Sequence, residues 1–462
     1  MTINQTRSLH IYKNPASKDV LSGQADTVVS FLVLQMAELS ADPPPKRLHN
    51  LFPVAETAAN ATATDRISEL PDALLIQILS LLPTKQSVVT GSLSKRWRPL
   101  WASVPILDFT DGIAGTVDRP ERNEPKSRET SGFSEFVYSV LLLHEARPIT
   151  RFRLRCSHWS CSQRDIATWL SQAARRGVEQ LELSLSLSRY VALPRKLFNF
   201  ETVVEMKLDG VFLNALAGFS VSLPSLKVLH VGDRVLFGCH DYVVKLLAGC
   251  PVLEKLVLES TYSDACGGPV CAQGMFDLNL NRLVKARIGF SWYKTCTKSM
   301  FLIFNSLSNV RCLSILSSTV ECLKDSTASD IPVFNNLVQL EISFGNYSWD
   351  LLTNLLQHSQ KLEVLTIYKE SQKHANGHEP AWNLPLVVPE CVLSHLKAFC
   401  LMEFQGLDCE MGFLRYVMQN ARVLETMKIS MASSLDPQTK LQIRSTLTAL
   451  QLNIQSCQIT FH

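Results

Sequence analysis

Two cysteines and a histidine fall within one short segment, Cys156-Ser-His-Trp-Ser-Cys161, a local density of soft ligands that zinc or thiol chemistry could use. A zinc site needs a second half-site at matching spacing, and none follows. Cys266 and Cys271 flank Gly-Gly-Pro-Val, and His374 and His378 are separated by Ala-Asn-Gly, so both pairs fit polar loops better than ligand sets. No nucleophile with its base, no paired acid and base, and no P-loop or dinucleotide glycine pattern accompanies them. The expectation is a chain with no catalytic residue, no metal and no cofactor.

The thirteen cysteines are an odd number. Most stand singly in apolar strands or at helix ends, as Cys250, Cys312 and Cys400 do, which predicts buried free thiols in a reducing compartment, neither disulfide-bonded nor metal-bound. The chain carries 45 basic against 42 acidic residues, and so balanced a charge leaves no nucleic-acid footprint. Lys95-Arg96-Trp97-Arg98 reads as the solvated face of a helix. The two-sign run from Asp118 to Glu129 reads as a solvated linker. Val28 to Met36 is apolar but too short to span a bilayer and has no basic segment just before it, so no membrane association follows. Asn-x-Ser/Thr occurs at Asn4, Asn60 and Asn346, a pattern that matters only in a secreted chain. A cytoplasmic or nuclear location is the default.

What would position functional residues is a repeat. Three apolar residues stand at i, i+3 and i+5 in Ile149/Phe152/Leu154, Val178/Leu181/Leu183, Val203/Met206/Leu208, Leu226/Leu229/Val231, Leu253/Leu256/Leu258 and Leu283/Ala286/Ile288. They recur in Val310/Leu313/Ile315, Leu337/Leu340/Ile342, Leu362/Leu365/Ile367, Leu396/Phe399/Leu401 and Leu424/Met427/Ile429, at steps of 23 to 34 residues. Such spacing is that of leucine-rich repeats. In one unit Val243, Leu246 and Leu247 form a helical stripe, Gly249 and Pro251 end the helix, and Leu253, Leu256 and Leu258 begin the next strand. Neither face can be buried within one unit. Stacking buries both and predicts an α/β solenoid, an arc of parallel strands with helices outside. Outward residues such as Glu254, Lys255 and Val257 are candidates for its concave face, although parity alone does not say which of them point there.

Ahead of the repeats, Ile67 to Pro83 reads as one helix with Pro71 in its first turn, Asp72 near its positive end, and Leu74, Leu75, Ile78, Leu79 and Leu82 at helical spacing. Burying each side chain is worth roughly 1.5 to 3 kcal/mol, so the stripe demands a covering surface. A second helix is expected from Thr84 as N-cap, carrying Val88, Val89 and Leu93, followed by Trp97, Leu100 and Trp101. Gly91 and Pro99 should weaken or kink that stretch. Some 40 residues are few for an independent core, which implies a partner.

Asp65-Arg-Ile-Ser-Glu-Leu-Pro-Asp-Ala-Leu-Leu75, Ile78-Leu-Ser-Leu-Leu-Pro-Thr-Lys85 and Leu93-Ser-Lys-Arg-Trp-Arg-Pro-Leu-Trp101 resemble the F-box of the plant F-box/FBD/LRR-repeat family. Trp382, Val388 to Lys397, Phe404-Gln-Gly406 and Glu410 to Met427 resemble its FBD region. The resemblance implies the substrate receptor of a Skp-cullin-F-box ubiquitin ligase. The F-box would bind a Skp-type adaptor, and through it cullin, while the repeats hold a protein substrate whose identity the sequence does not give. By the same resemblance the adaptor contacts are Leu70, Pro71, Leu74, Leu75, Ile78, Leu79, Leu82, Pro83, Val88, Trp97 and Trp101, some of which must be internal core.

The expected organisation is a disordered leader over 1–64, in which Met36 is a candidate start, and the F-box over 65–109. A charged linker and first helix follow over 110–148, repeats over 149–381, and the FBD region over 382–462, continuing the array. Two other readings compete: a stand-alone leucine-rich repeat binding or inhibitor protein with a vestigial F-box, and a hydrolase or redox enzyme built on Cys156 and Cys161.

Overall fold

The computed structural model describes residues 67, 69–111, 129–157, 161–186, 191–213, 216, 219–238, 241–259, 261–262, 278–290, 297–323, 330–344, 348–370, 382–451 and 457–461. The leader over 1–64 with Met36, most of the charged run from Asp118, Cys266, Cys271, His158, His374, His378, and Asn4, Asn60 and Asn346 lie outside these residues. The chain divides into two compact units, one of residues 1–109 and 119–146, the other of 110–118 and 147–462.

In the first unit, α1 (Asp72–Leu79) has Pro71 as its N-cap residue and ends at Ser80, four residues short of Thr84. The chain then turns, Leu81 and Leu82 donating to the carbonyls of Ile78 and Leu79, so the helix stops well before Pro83. A proline cannot donate its own N–H, which suits it to a helix start, and Pro83 is the N-cap residue of α2 (Thr84–Val89). Thr84, expected as that cap, instead accepts from the N–H of Asp108 at 2.7 Å. Gly91 lies in a short 3-10 turn over Thr90–Ser92, and Pro99 immediately precedes another over Leu100–Ser103. The two helix breakers therefore fall where the α-helix has already ended, and Trp97 and Trp101 stay buried. Strand β1 (Ile106–Thr110) contributes Leu107 and Phe109 to the core, and α3 (Glu129–Leu143) packs there by an edge-on contact of Phe136 with Phe109 at 6.1 Å. Buried His144 meets the Val104 carbonyl at 2.7 Å and fixes the end of α3.

The second unit is a parallel sheet wound with helices. Its strands are β2 (Arg151–Ser157), β3 (Gln180–Ser186), β5 (Glu205–Asp209), β7 (Val228–Val231), β9 (Lys255–Leu258) and β11 (Lys285–Ile288). The order continues through β12 (Cys312–Ile315), β13 (Gln339–Phe344), β14 (Val364–Lys369), β15 (Ala398–Phe404), β16 (Thr426–Met431) and β17 (Gln458–Phe461). Residues at one position of successive apolar triplets are register partners: Phe152, Leu181, Met206, Leu229, Leu256, Ala286, Leu313, Leu340, Leu365, Phe399 and Met427 form one ladder. All eleven triplets are buried. The sheet is the open parallel strand layer of a leucine-rich repeat solenoid.

What lies between strands varies along the array. The 29-residue step holds α4 (Gln163–Arg175), whose N-terminus is closed by reciprocal Ser162 and Asp165 bonds of 3.2 and 2.9 Å. Among the described residues the following step has a 3-10 turn over Arg195–Asn199 in place of an α-helix, although the equally long step from Leu337 to Leu362 holds a helix over Trp349–Gln357. Short strands β4 (Val191–Ala192), β6 (Val211–Leu213), β8 (Leu236–Phe237) and β10 (Thr261–Tyr262) form a second small parallel sheet along the same repeats. Gly210 makes the β5–β6 corner at φ 69°, and a Cβ there would lie 1.6 Å from the Leu185 carbonyl oxygen, so no other residue fits. Helix α5 (Asp241–Ala248) buries Val243, Leu246 and Leu247 as the stripe requires.

The thiols correct one expectation. Cys156 and Cys161 are joined as a disulfide, tying the end of β2 to the residue before the α4 cap. Cys250 is buried, but Cys312 and Cys400 are half-exposed because both occupy strand positions that alternate with the buried triplet residues.

Candidate adaptor and target interfaces

Helix α1 is apolar on two sides that do different things. Leu75 and Leu79 are fully buried against Trp97, Leu100 and Val104, with Leu70, Ile76, Leu82 and Ile106 packed around them. Leu74 and Ile78, one residue earlier in each pair, are 43% and 42% exposed. The helix start is held by Arg96, whose guanidinium meets the Asp72 carboxylate at 2.7 Å and also donates to the Leu70 carbonyl. The basic cluster around Trp97 is thus partly an internal tie rather than a free face.

Of the sequence-derived adaptor contacts, Leu75, Leu79, Val88, Trp97 and Trp101 are buried inside the module, Leu70 and Leu82 are half-buried, and Pro71, Leu74, Ile78 and Pro83 are at the surface. Sequence reasoning placed Val89 and Leu93 on the second helix without assigning them as adaptor contacts and did not single out Leu81, yet all three are exposed, at 41%, 68% and 85%. The spacing of Leu81 from Ile78 was a usable signal, since it repeats the step from Leu75 to Ile78.

On the sheet, strand alternation settles which residues face outward: Lys255 and Val257 alternate with buried Leu256 and Leu258, whereas Glu254 precedes the strand and pairs with Lys227 at 2.9 Å. The outward face is rich in charge. Glu182 accepts from Arg153 at 2.9 Å and Arg155 at 2.7 Å, Lys207 meets Glu205 at 2.7 Å, and Arg234 meets Asp209. Arg287 is held between Glu259 at 2.5 Å and Glu341 at 3.3 Å. Burial pushes the Glu182 carboxyl up, but hydrogen bonds and charge from Arg155 and Arg153 outweigh it and hold that group below its ordinary range.

The C-terminal part shows why its distinctive residues stand where they do. Trp382 meets Phe413 at 5.5 Å and Tyr416 at 5.1 Å, both edge-on, and Trp349 lies 5.1 Å from Phe413. Gly412 makes room for this cluster, since a Cβ there would come within 3.3 Å of the Trp382 ring. Glu410, in the first turn of α10 (Asp408–Asn420), accepts from the N–H groups of Gln405 and Leu407 at 3.0 and 2.9 Å. Phe404 is fully buried at the end of β15. Among the described residues no helix is long and apolar enough to cross a membrane.

Comparison with known proteins accounts for each part. Residues 67–109 match the F-box domain, 166–270 match the model described as FBD-associated F-box protein At5g56370, LRR repeats, and 384–429 match FBD. The F-box/FBD/LRR-repeat protein At4g00160 of Arabidopsis thaliana is 30% identical, covering 86% of this chain and 94% of its own length. The F-box/FBD/LRR-repeat protein At4g26340 of the same plant is 32% identical over 80% of this chain and 93% of its own. The FBD-associated F-box protein At4g10400 is 29% identical over 86% of this chain and its own full length. Matches of the three modules in this order, over most of both chains, establish that this protein belongs to the F-box/FBD/LRR-repeat family.

Proposed function

We propose that this chain is the non-catalytic substrate-recognition subunit of a Skp-cullin-F-box ubiquitin ligase. The F-box docks to a Skp-type adaptor, and through it to cullin, the repeats hold a target protein, and other subunits transfer ubiquitin. The supporting observation is the division of α1: Leu75 and Leu79 complete the module's own core, yet Leu74 and Ile78 stand at the surface with Leu81, Val89 and Leu93. Covering such side chains stabilises a complex by up to roughly 1.5 to 3 kcal/mol each, which is the driving force a protein partner would use.

On this reading the adaptor contacts are Pro71, Leu74, Ile78 and Pro83, with Leu70 and Leu82 at the margin. Leu75, Leu79, Val88, Trp97 and Trp101 hold the shape of the module. The chain is organised as F-box over 65–109, linker and helix over 110–148, repeats over 149–381 and an FBD region over 382–462 that continues the array. A ligase subunit of this kind works in the cytoplasm or nucleus. Purification of the full chain from its native cells under proteasome inhibition should recover a Skp-type adaptor and cullin together with a target. Recovery of a target with neither ligase subunit would contradict the reading.

A further inference from the structure

Carboxylates and cations are unevenly matched on the outward face of the sheet. From β2 to β14 the strand carboxylates Glu182, Glu205, Asp209 and Glu341 each meet a cation, and Glu259, just past β9, shares Arg287 with Glu341. Of the strand cations there, Arg151, Arg153, Arg155, Lys207 and Arg287 each meet an amide or carboxylate side chain, whereas among the described residues no ion pair involves Lys255 at the start of β9 or Lys285 at the start of β11. Lys255 and Lys285 are direct register partners on neighbouring strands and both are exposed. Strands stand about 4.8 Å apart, so the two ammonium groups share one patch of surface. Exposed Arg282 lies three residues before Lys285, and exposed Arg311 immediately precedes β12, the next strand of the sheet. Glu254, the residue before Lys255, pairs with Lys227.

Like charges directly opposite on parallel strands weaken the sheet. Among the described residues no carboxylate pairs with these two, in contrast to the ion pairs on either side. We infer that the face at the starts of β9, β11 and β12 is the recognition surface for an acidic, extended segment of the target protein, whose carboxylates lie across Lys255 and Lys285 with Arg282 and Arg311 at the flank. This rests on the reading that the repeats hold a protein target, and charge complementarity is what selects the occupant. Same-face side chains of an extended chain recur every ~6.6 Å against a strand spacing of about 4.8 Å, a difference that flexible lysine stems take up.

The test uses the full chain with a fluorescent poly-glutamate peptide, its poly-glutamine counterpart and a single-stranded oligonucleotide as probes, with adaptor pull-down run in parallel. Poly-glutamate should bind, poly-glutamine should not, and binding should weaken as salt rises. The K255E/K285E variant should lose about tenfold or more in affinity for poly-glutamate, since two exposed ion pairs become repulsions. Single K255E turns a like pair into an opposite one and should raise the melting temperature, which shows that the substituted sheet folds. Unchanged poly-glutamate binding in K255E/K285E, or tighter binding of the oligonucleotide than of the peptide, would overturn the assignment. Loss of adaptor pull-down with normal peptide binding would remove the ligase reading and leave this surface standing.

Discussion

Lys369, the last residue of β14, and Glu410, in the first turn of α10, face each other across consecutive repeats with 4.0 Å between Nζ and Oε1, and neither side chain reaches solvent. The Lys369 ammonium also donates to Gln405 at 2.5 Å, while Glu410 closes the start of α10. Breaking such a buried pair leaves one charge uncompensated and costs about 3 to 5 kcal/mol, whereas replacing both partners by apolar residues costs much less. E410Q and K369M are therefore expected to lower the melting temperature strongly and separately, and K369M/E410Q, which keeps a side-chain acceptor for the Gln405 and Leu407 N–H groups, to recover part of the loss. Equal destabilisation in the double variant would show that the pair is not a coupled unit. Truncation at residue 382 would strip Glu410 from Lys369, so point variants are the cleaner probe of the C-terminal region.

How much of this was legible depends on distance along the chain. The eleven triplets were readable because a parallel strand buried on one side repeats its apolar positions at fixed offsets, and each sits in register with the next. The pairing of Lys369 with Glu410 was not, because nothing local links a strand end to a helix start so far downstream. Strands of two residues such as β4 and β8 carry no period to detect. In the F-box, helical spacing located Leu74, Leu75, Ile78 and Leu79 but could not divide them, since a narrow helix with two apolar sides has the same spacing whichever side is covered. The disulfide contradicted a reading based on parity of cysteine count, which says nothing about one local pair.

Glu182 gives a pH signature. Its folded-state carboxyl is held below the ordinary value of 4.5, so the stability it contributes is present above that value and is lost as pH falls through the folded pKa. E182Q should melt lower than the native chain at neutral pH, and the two melting curves should converge in acid. A constant gap across that range would show that Arg153 and Arg155 do not stabilise the carboxylate.

Thiol reactivity should separate the cysteines. Burial pushes both Cys250 and Cys391 up to about 12, so their thiolates are absent at neutral pH. Iodoacetamide should label these two only after denaturation, Cys312 in the native chain, and Cys156 and Cys161 only after reduction. Rapid native labelling of Cys250 would mean that the end of α5 opens far more readily than its packing implies.

The central claim is that one side of α1 builds the F-box and the other docks the adaptor. L74D/I78D in the full chain, measured for adaptor affinity alongside thermal melting, tests it most directly. Both residues are surface-exposed in the free chain, so melting should be nearly unchanged, while adaptor binding should fall by about a hundredfold or more because two charges would enter an apolar interface at a cost of several kcal/mol. Retention of native adaptor affinity by a folded L74D/I78D chain would contradict the account.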